Sequence, residues 1–496
     1  MEGKETTSNS LLTQFVKQTA YTSIGTGLTL VLGMVNTMIL VRYLPRHELG
    51  VFLLLEVLVE FLSMISYFGL DISIIQSIAS ASEEDKAKIA NSVLVFRFFS
   101  LCLASVVFFL GQRWFFLLFG EADVSGVAIF VPFMLLVQGY WRLLRLILQG
   151  YFRFKQLALI DLVTSALNLV MIIVFIILMR ASLVGQIYAR VLSWTIGCLL
   201  FYLAIPGPKT PFIYPDQLFK VMRFGLPLQL NDVFSFIFSR LGILIVGTLL
   251  GPADVALLGV ADKIPSMVRR LYGAFHSVYL PNLSKLLADG DKRRALRLLN
   301  TSLRLVSFTT ALGALIAALF ADDIIRFLFS EQYLPGTTVF ILSMAALSIS
   351  LVGNILGTSL VAASDTKGPT MANVITTAVS LAANITLIPW LGVNGAAMSG
   401  GLASLSANPM LVWLLRRRRV MANSLEYLKP LLILLGFCAV VFYLSPTSWI
   451  LRSLLLVLFL VVCYIFSVIR QEDFTQALTV VRSYRAKRSQ SQVMAV

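Results

Sequence analysis

Fourteen long apolar segments follow one another along this chain, and they limit how it can fold more than any other feature. A helix needs about 20 mainly apolar residues to cross the hydrocarbon core of a bilayer. Charged residues make up only 13% of the chain, against about 25% in soluble domains. We therefore predict an all-α, polytopic membrane protein with about 14 transmembrane helices. The predicted spans are residues 19–42, 50–77, 91–112, 126–149, 157–179, 183–205, 224–250, 256–280, 302–320, 337–363, 371–391, 395–415, 430–446 and 450–470.

The distribution of Lys and Arg predicts how these spans are oriented. If the N-terminus lies in the cytoplasm and the connecting segments alternate, the cytoplasmic segments hold 25 basic residues and the outer segments hold 6. Because cytoplasmic loops carry such an excess, we expect both termini on the cytoplasmic side of the inner (cytoplasmic) membrane. The opening MEGKETTSNS shows no signal-peptide pattern. The net charge of +15 then largely reflects topology, and the basic run Arg416–Arg419 indicates a helix-end anchor and no nucleic-acid site.

Segments in the two halves of the chain match in order, which predicts an internal repeat. YLPRHELGVF at 43–52 resembles LLGPADVALL at 249–258, and KQLALIDLVTSALNL at 155–169 resembles KGPTMANVITTAVSL at 367–381. Six spans per repeat would give both halves the same orientation, an arrangement found in transporters whose substrate site lies between the halves. The predicted divisions are an N-lobe at 1–205, a C-lobe at 206–420, two further helices at 421–470 and a cytoplasmic tail at 471–496.

Charged residues fall inside the predicted spans, where each must face a bundle interior or water. A charge at the bilayer centre costs about 2.5–3.5 kcal/mol on insertion scales. Helical phase places many of these residues on one polar face of each helix, which predicts a hydrated central cavity with a positive lining. The basic residues are Arg97, Arg142, Arg145, Arg190, Arg240, Lys263, Arg269, Arg270 and Arg304. The acids are Glu56, Glu60, Asp71, Asp161, Asp232 and Asp262.

Depth in the membrane separates the candidate site residues from residues that reach the headgroups. Arg97, Arg145 and Arg304 lie near predicted cytoplasmic helix ends, so we expect them to snorkel. Because guanidinium groups form bidentate bonds with phosphate, the remaining cations indicate an anionic substrate. The predicted substrate-binding residues are Arg142, Arg240, Lys263, Arg269 and Arg270. The cavity acids, expected either to couple transport to an ion or to pair with Arg, are Glu56, Glu60, Asp161, Asp232 and Asp262.

The sequence gives no indication of catalysis. We predict no catalytic residue, no metal site and no cofactor, because the four cysteines lie in apolar runs without paired or metal-ligand spacing. No loop between the spans exceeds about 20 residues, and none carries a paired-acid or glycine-rich motif. The chain is therefore predicted not to be an enzyme.

Two segments resemble a known family. The stretch LVRYLPRHELGVFLLLEVLVEFLSMISYFGL at 40–70 and the stretch from Gly247 to Lys285 with its following DGDKRRALRLL are similar to polysaccharide-export flippases of the MOP superfamily. The sequence departs from the family at Pro45-Arg46-His47, where a Gly-Pro-acid turn is usual. The resemblance implies an alternating-access flippase for O-antigen-type glycans linked to undecaprenyl diphosphate. It also implies a lipid-tail groove at the last two helices, and a pathway polymerase and glycosyltransferases as partners.

Three other interpretations remain open from the sequence. The first is a cation-coupled multidrug extruder of the related MATE type, which Glu56 and Glu60 keep open although the first span contains no carboxylate. The second is a membrane enzyme of a glycan pathway, which the internal repeat disfavours. The third is a scaffold without transport activity, for which the charges within the spans would have no purpose.

Overall fold

The computed structural model describes residues 25–119, 125–207, 211–365, 367–418, 425–444 and 448–468. Nearly all of these residues are helical, and the described ranges contain no strand. The predicted all-α class is therefore confirmed. The first residues of the first predicted span and the predicted tail at 471–496 lie outside the described residues.

The helices are numbered here in chain order. They are α1 Gly25–Tyr43, α2 Arg46–Ile65, α3 Leu70–Ser80, α4 Glu83–Phe119, α5 Val131–Gly150, α6 Phe154–Ile172, α7 Ser182–Ala204, α8 Pro215–Leu249, α9 Pro252–Ala261, α10 Lys263–Ala288, α11 Lys292–Leu328, α12 Thr337–Ala362, α13 Lys367–Leu391, α14 Val393–Arg417, α15 Leu425–Leu444 and α16 Trp449–Ile465. Short 3-10 segments, Ser125–Phe130 and Glu331–Gly336, precede α5 and α12, and the π-helical turn Ile173–Leu178 extends α6.

Each predicted span coincides with one helix or with a broken pair of helices. Within the described ranges, nine helical segments are long and apolar enough to cross a membrane. The span at 50–77 consists of α2 and α3, and the span at 256–280 consists of α9 and α10. The protein is therefore a multi-pass membrane protein, as the apolar segments predict.

The second span breaks between α2 and α3 because the backbone there turns into the left-handed region. Phe68 and Gly69 have φ angles of 49° and 73°. Gly69 is also held against the backbone of Gly225 in α8, where an added Cβ would overlap the Gly225 carbonyl group. A side chain at position 69 would thus be excluded by the conformation and by the contact together.

The described residues divide into two compact units by their contacts. The first contains the described residues of Met1–Ala274, Ile324–Phe340 and Thr376–Ala403, and the second those of Phe275–Asp323, Ile341–Ile375 and Ser404–Val496. These units are defined by contacts and the predicted lobes by sequence repetition, so the lobe boundaries stay a prediction.

Within the first unit, α2 packs between α8 and α9. Contacts of Gly69 with Gly225 and of Leu54 with Gly247 show that α8 runs antiparallel to α2. The chain then turns at Gly251, and α9 packs on α2 so closely that an added Cβ at Gly50 would collide with the Pro252 carbonyl. The α9 helix therefore runs parallel to α2. A parallel repeat predicts this direction, because α2 and α9 each begin the second span of their half of the chain.

Within the second unit, α16 packs against a kink in α11. Phe320 has non-helical angles of φ −124° and ψ 16°. Its ring lies 5.5 Å from that of Trp449, and Arg452 forms a 2.5 Å ion pair with Asp323. The first turn of α16 thus contacts Phe320 at the kink and Asp323 three residues farther along α11.

Candidate functional site

Three Arg–carboxylate pairs lie in the first unit at the depth of the membrane spans. Glu56 and Glu60 are one helical turn apart on the same face of α2, and they contact Arg190 of α7 and Arg240 of α8, respectively. The Glu60–Arg240 distance is 2.8 Å. The third pair joins Asp262, in the break between α9 and α10, to Arg269 at 2.5 Å.

Lys263 and Arg270 lie beside these pairs. Lys263 interacts electrostatically with Glu56, Arg190 and Arg270, and Asp262 interacts likewise with Arg240. We call this group the charged cluster, and its members are Glu56, Glu60, Arg190, Arg240, Asp262, Lys263, Arg269 and Arg270. Within the described part of the chain, neither Lys263 nor Arg270 has a carboxylate within salt-bridge distance. Five cations thus meet three acids, and the cluster carries an excess of two positive charges.

The paired side chains of the charged cluster are only partly buried. Their exposed fractions range from 25% for Arg190 to 42% for Arg269. Lipid tails cannot solvate an ion pair at this depth, because a charged group in hydrocarbon costs several kcal/mol. We therefore expect the exposed part of the cluster to face water, which a polar ligand can replace.

Two stacked tryptophans connect the charged cluster to a fourth ion pair. Trp141 of α5 and Trp194 of α7 stack with their ring centroids 5.3 Å apart and an interplanar angle of 9°. Arg190 lies over Trp194 at 4.8 Å, and Arg145 lies 6.0 Å from the centre of Trp141. Arg145 in turn pairs with Asp161 of α6 at 3.0 Å. Cation–π contacts of this kind orient guanidinium groups, so the aromatic pair helps to fix both Arg side chains.

Arg97 does not snorkel, and the prediction that it reaches the headgroups is wrong. Its side chain is fully buried. Its two terminal nitrogens donate to backbone and hydroxyl oxygens of Ser63 and Ser66, at 2.5 to 3.3 Å. These carbonyls lie at the end of α2, where no further helical turn donates to them. The Ser66 hydroxyl donates to the Ser63 carbonyl at 3.0 Å, so it is the Ser66 carbonyl for which Arg97 supplies the donor. Arg97 also places a favourable charge at the helix C-terminus. Arg304 is also almost completely buried, at 4% exposure, which contradicts the same prediction for that residue.

Arg142 and Asp232, two of the predicted site residues, have other surroundings. Arg142 and Arg97 lie over the ring of Tyr67, at 5.2 and 4.2 Å. Arg142 is thus placed at the break between α2 and α3. Asp232 lies half-buried on α8. The side chain of Asp71 lies outside the described residues.

Sequence reasoning missed two components of the site. One is the Trp141–Trp194 stack, for which the sequence holds a partial signal, because Trp194 follows Arg190 by four residues and therefore shares its helix face. The other is the pair of serines whose oxygens accept hydrogen bonds from Arg97. Their spacing from Arg97 in the sequence gives no indication of this contact. Among the described residues, no group of three or more His, Cys, Asp or Glu side chains could hold a metal ion.

Comparisons with known proteins identify relatives of this chain. The family described as "Polysaccharide biosynthesis protein" matches residues 39–338. The lipid II flippase MurJ of Burkholderia cenocepacia is 27% identical over 267 residues, which cover 49% of this chain and 52% of that protein. The match therefore spans about half the length of this curated relative.

Solved structures show the same fold along most of the chain. A structure of the lipid II flippase MurJ in an inward closed conformation has a TM-score of 0.69 at 20% identity and covers 90% of this chain and 98% of its own. An inward-facing multidrug resistance MATE family transporter of the MOP superfamily has a TM-score of 0.63 at 17% identity, with 79% and 94% coverage. The resemblance predicted from the segments at 40–70 and 247–285 is thus confirmed for family and fold.

Proposed function

Because the chain belongs to the polysaccharide biosynthesis protein family, we propose that it moves a lipid-linked oligosaccharide across the cytoplasmic membrane for polysaccharide biosynthesis. The carrier lipid is undecaprenyl diphosphate. The protein acts as an alternating-access flippase and makes or breaks no covalent bond. The name of the Burkholderia cenocepacia relative supports a lipid-linked cargo, although the match spans only about half of that protein.

The positive excess of the charged cluster carries the proposal. Four acids are engaged by four arginines, in the pairs Glu56–Arg190, Glu60–Arg240, Asp262–Arg269 and Asp161–Arg145. Lys263 and Arg270 form no salt bridge with an acid among the described residues, and Glu56, which interacts with Lys263, is paired with Arg190. A diphosphate is an anion that both can bind, Arg270 through paired N–H groups and Lys263 as a point charge.

The pairs also suggest how the site can change its affinity. An arginine that leaves its carboxylate becomes a donor for phosphate, so opening of a pair strengthens anion binding and closing of the pair releases the anion. Glu60–Arg240 has this property between α2 and α8, which belong to the two predicted lobes 1–205 and 206–420. We propose that rocking of these lobes opens and closes the pair, with both chain termini in the cytoplasm.

A multidrug extruder is disfavoured by the same residues. Such a transporter would need a carboxylate able to exchange a cation or to attract a cationic drug. Glu56 and Glu60 are both engaged with Arg side chains, and the surrounding cluster is positive. A cationic drug would be repelled from this site. The fold that this protein shares with the MATE transporter therefore serves an anionic cargo.

The test is carried out in cells whose surface glycan depends on this protein. Lys263→Gln and Arg270→Gln, singly and together, should leave the protein inserted but cause the lipid-linked glycan to accumulate on the cytoplasmic leaflet. Arg113→Gln is the matched control, because this exposed arginine of α4 lies outside the charged cluster. Normal glycan export by the double variant would refute the assignment of the site.

A drug assay separates the two transporter functions. The purified protein in liposomes is expected to show no release of protons or sodium when cationic drugs are added. Drug-dependent ion release that is abolished by Glu56→Gln or Glu60→Gln would establish the extruder instead.

A further inference from the structure

A second site lies outside the charged cluster, in the second unit at the turn between α10 and α11. A groove of about 550 Å³ follows the last turns of α10 and the first turns of α11. Its apolar lining residues are Phe275, Val278, Tyr279, Leu286 and Leu298, and its polar lining residues are Asn282, Lys285, Asp289 and Arg294. The last three of these lie nearest the turn, and we call this the polar end of the groove. We propose that this groove binds one anionic membrane phospholipid, with an acyl chain along α10 and the phosphate at Lys285 and Arg294.

The apolar part of the groove is a fixed surface. Phe275 and Tyr279, one turn apart on α10, stack with their ring centroids 5.4 Å apart. The Tyr279 hydroxyl forms a 2.8 Å hydrogen bond with the Ser359 hydroxyl of α12, which anchors the ring. The distance along α10 from Phe275 to Lys285 is about 15 Å at 1.5 Å per residue. This length and its apolar lining suit an extended hydrocarbon chain.

The polar end of the groove has the charge that an anionic headgroup needs. Residues 285–297 hold five basic residues and two acids. Lys285 and Arg294 both line the groove and are exposed, so that their charged groups can bind a phosphate without losing all their water. Arg294 lies 3.4 Å from Asp291 on its own helix, an exposed pair that contributes little and opens readily. Basic clusters beside a membrane-crossing helix attract anionic lipids.

The position of the groove selects a membrane lipid over a soluble anion. α11 continues from this turn into a segment that is apolar enough to cross the bilayer. Phe275, Val278 and Tyr279 belong to the predicted span at 256–280, and Lys285 follows that span by five residues. We therefore expect the polar end of the groove near the depth of the phospholipid headgroups. A soluble anion would occupy only the polar end of the groove and would leave the apolar lining in contact with water. This exposure costs free energy in proportion to the apolar area.

Native mass spectrometry of the purified full-length protein tests this site. With phosphatidylglycerol we expect one tightly retained lipid, and with phosphatidylcholine none. Lys285→Gln with Arg294→Gln should weaken retention by roughly 30-fold, from two charges near a surface. The matched control is Arg416→Gln with Arg417→Gln, which removes the same charge from the exposed end of α14. Equal loss in this control would overturn the site, since it would show attraction to basic charge in general.

A second variant tests the groove without changing its charge. Val278 is an exposed wall residue, so Val278→Trp should fold while filling the space for the chain. We expect it to weaken phosphatidylglycerol retention, with an unchanged elution volume and melting temperature. Undiminished retention in Val278→Trp would overturn the proposal. Preference for a polyprenyl diphosphate over phosphatidylglycerol at the same residues would also overturn it, since the groove would then serve the cargo. The inference stands independently of the proposed transport function.

Discussion

The Arg240 guanidinium lies 2.8 Å from the Glu60 carboxylate and joins α8 to α2. Both side chains are about one third exposed, so the pair is neither sealed in the protein interior nor fully solvated. A pair in such a position can open without a large desolvation penalty. It therefore meets the requirement of the proposed function, in which this pair opens and closes.

Exchange of the two charges tests this role. Glu60→Gln and Arg240→Gln should each reduce glycan export, because each single change leaves a charge without its partner. The double variant Glu60→Arg/Arg240→Glu should recover much of the export, since the pair can again form and open. We expect the Glu60–Arg240 ion pair to contribute about 1 kcal/mol, as other partly exposed pairs do. Exchange of the exposed Arg326–Glu331 pair is the control and should have no effect. A double variant as defective as the singles would show that the individual residues matter and not their pairing.

Removal of the Arg97 side chain should strongly destabilise the protein. Arg97 is fully buried and donates to the last carbonyls of α2. Arg97→Met keeps the length of the side chain but leaves the buried Ser66 carbonyl without its donor, which costs about 1–3 kcal/mol. The readout is the apparent melting temperature in detergent. Arg113→Met, in the same helix but exposed, should melt like the unmodified protein. Equal melting of the two variants would contradict the capping role.

The tight contact between α2 and α9 predicts opposite effects for two glycine substitutions. Gly50→Ala forces a methyl group into the Pro252 carbonyl, and such overpacking costs about 1–3 kcal/mol. Gly27→Ala in α1 meets no described atom within 4 Å, so it should gain up to about 1 kcal/mol from helix propensity. Melting temperatures of the two variants should therefore shift in opposite directions. A stabilising Gly50→Ala would mean that α2 and α9 lie farther apart than described.

Asp365 predicts a specific dependence of stability on pH. The hydrogen bond from the Gly368 N–H, followed by the interaction with Arg418, lowers the pKa of Asp365 below its ordinary value of 3.8. The ionised form is thus favoured in the folded state. Its contribution to stability is present above pH 3.8 and is lost as the pH falls through the lower folded-state pKa.

The Asp365→Asn variant checks this dependence. It keeps an oxygen for the Gly368 N–H but loses the charge, so it should melt lower at neutral pH by an amount worth about 0.5–1 kcal/mol. The difference from the unmodified protein should stay constant from neutral pH to about pH 5 and shrink only in stronger acid. Asp289→Asn, at an exposed position, is the control. A difference that already disappears near pH 6 would contradict the lowered pKa.

The sequence was sufficient for the fold because membrane insertion acts on local composition. Each apolar segment must satisfy its own backbone, so each of the fourteen predicted spans coincides with a helix or with a broken pair of helices. Breaks within spans were harder to predict. The α2–α3 break depends on Phe68 and Gly69 in the left-handed region and on the approach of Gly225 from 156 residues away.

Helical phase predicted most members of the charged cluster, but it did not predict which residues pair with one another. Helix phase identified Glu56 and Glu60 as polar-face residues. Their partners, Arg190 and Arg240, are far away in the chain and are chosen by tertiary packing. The same limit explains the error at Arg97, because distance from a helix end indicates whether a side chain can reach the headgroups but not whether a better acceptor lies beside it.

The most direct test of the central claim is translocation of a lipid-linked oligosaccharide in liposomes that contain only this protein. The unmodified protein should move an undecaprenyl-diphosphate-linked glycan between leaflets, as measured by its accessibility to a sugar-modifying enzyme outside the liposome. The Lys263→Gln/Arg270→Gln variant should reconstitute equally well and move almost none, whereas Arg113→Gln should be fully active. Equal translocation by the double variant, or none by the unmodified protein, would contradict the account.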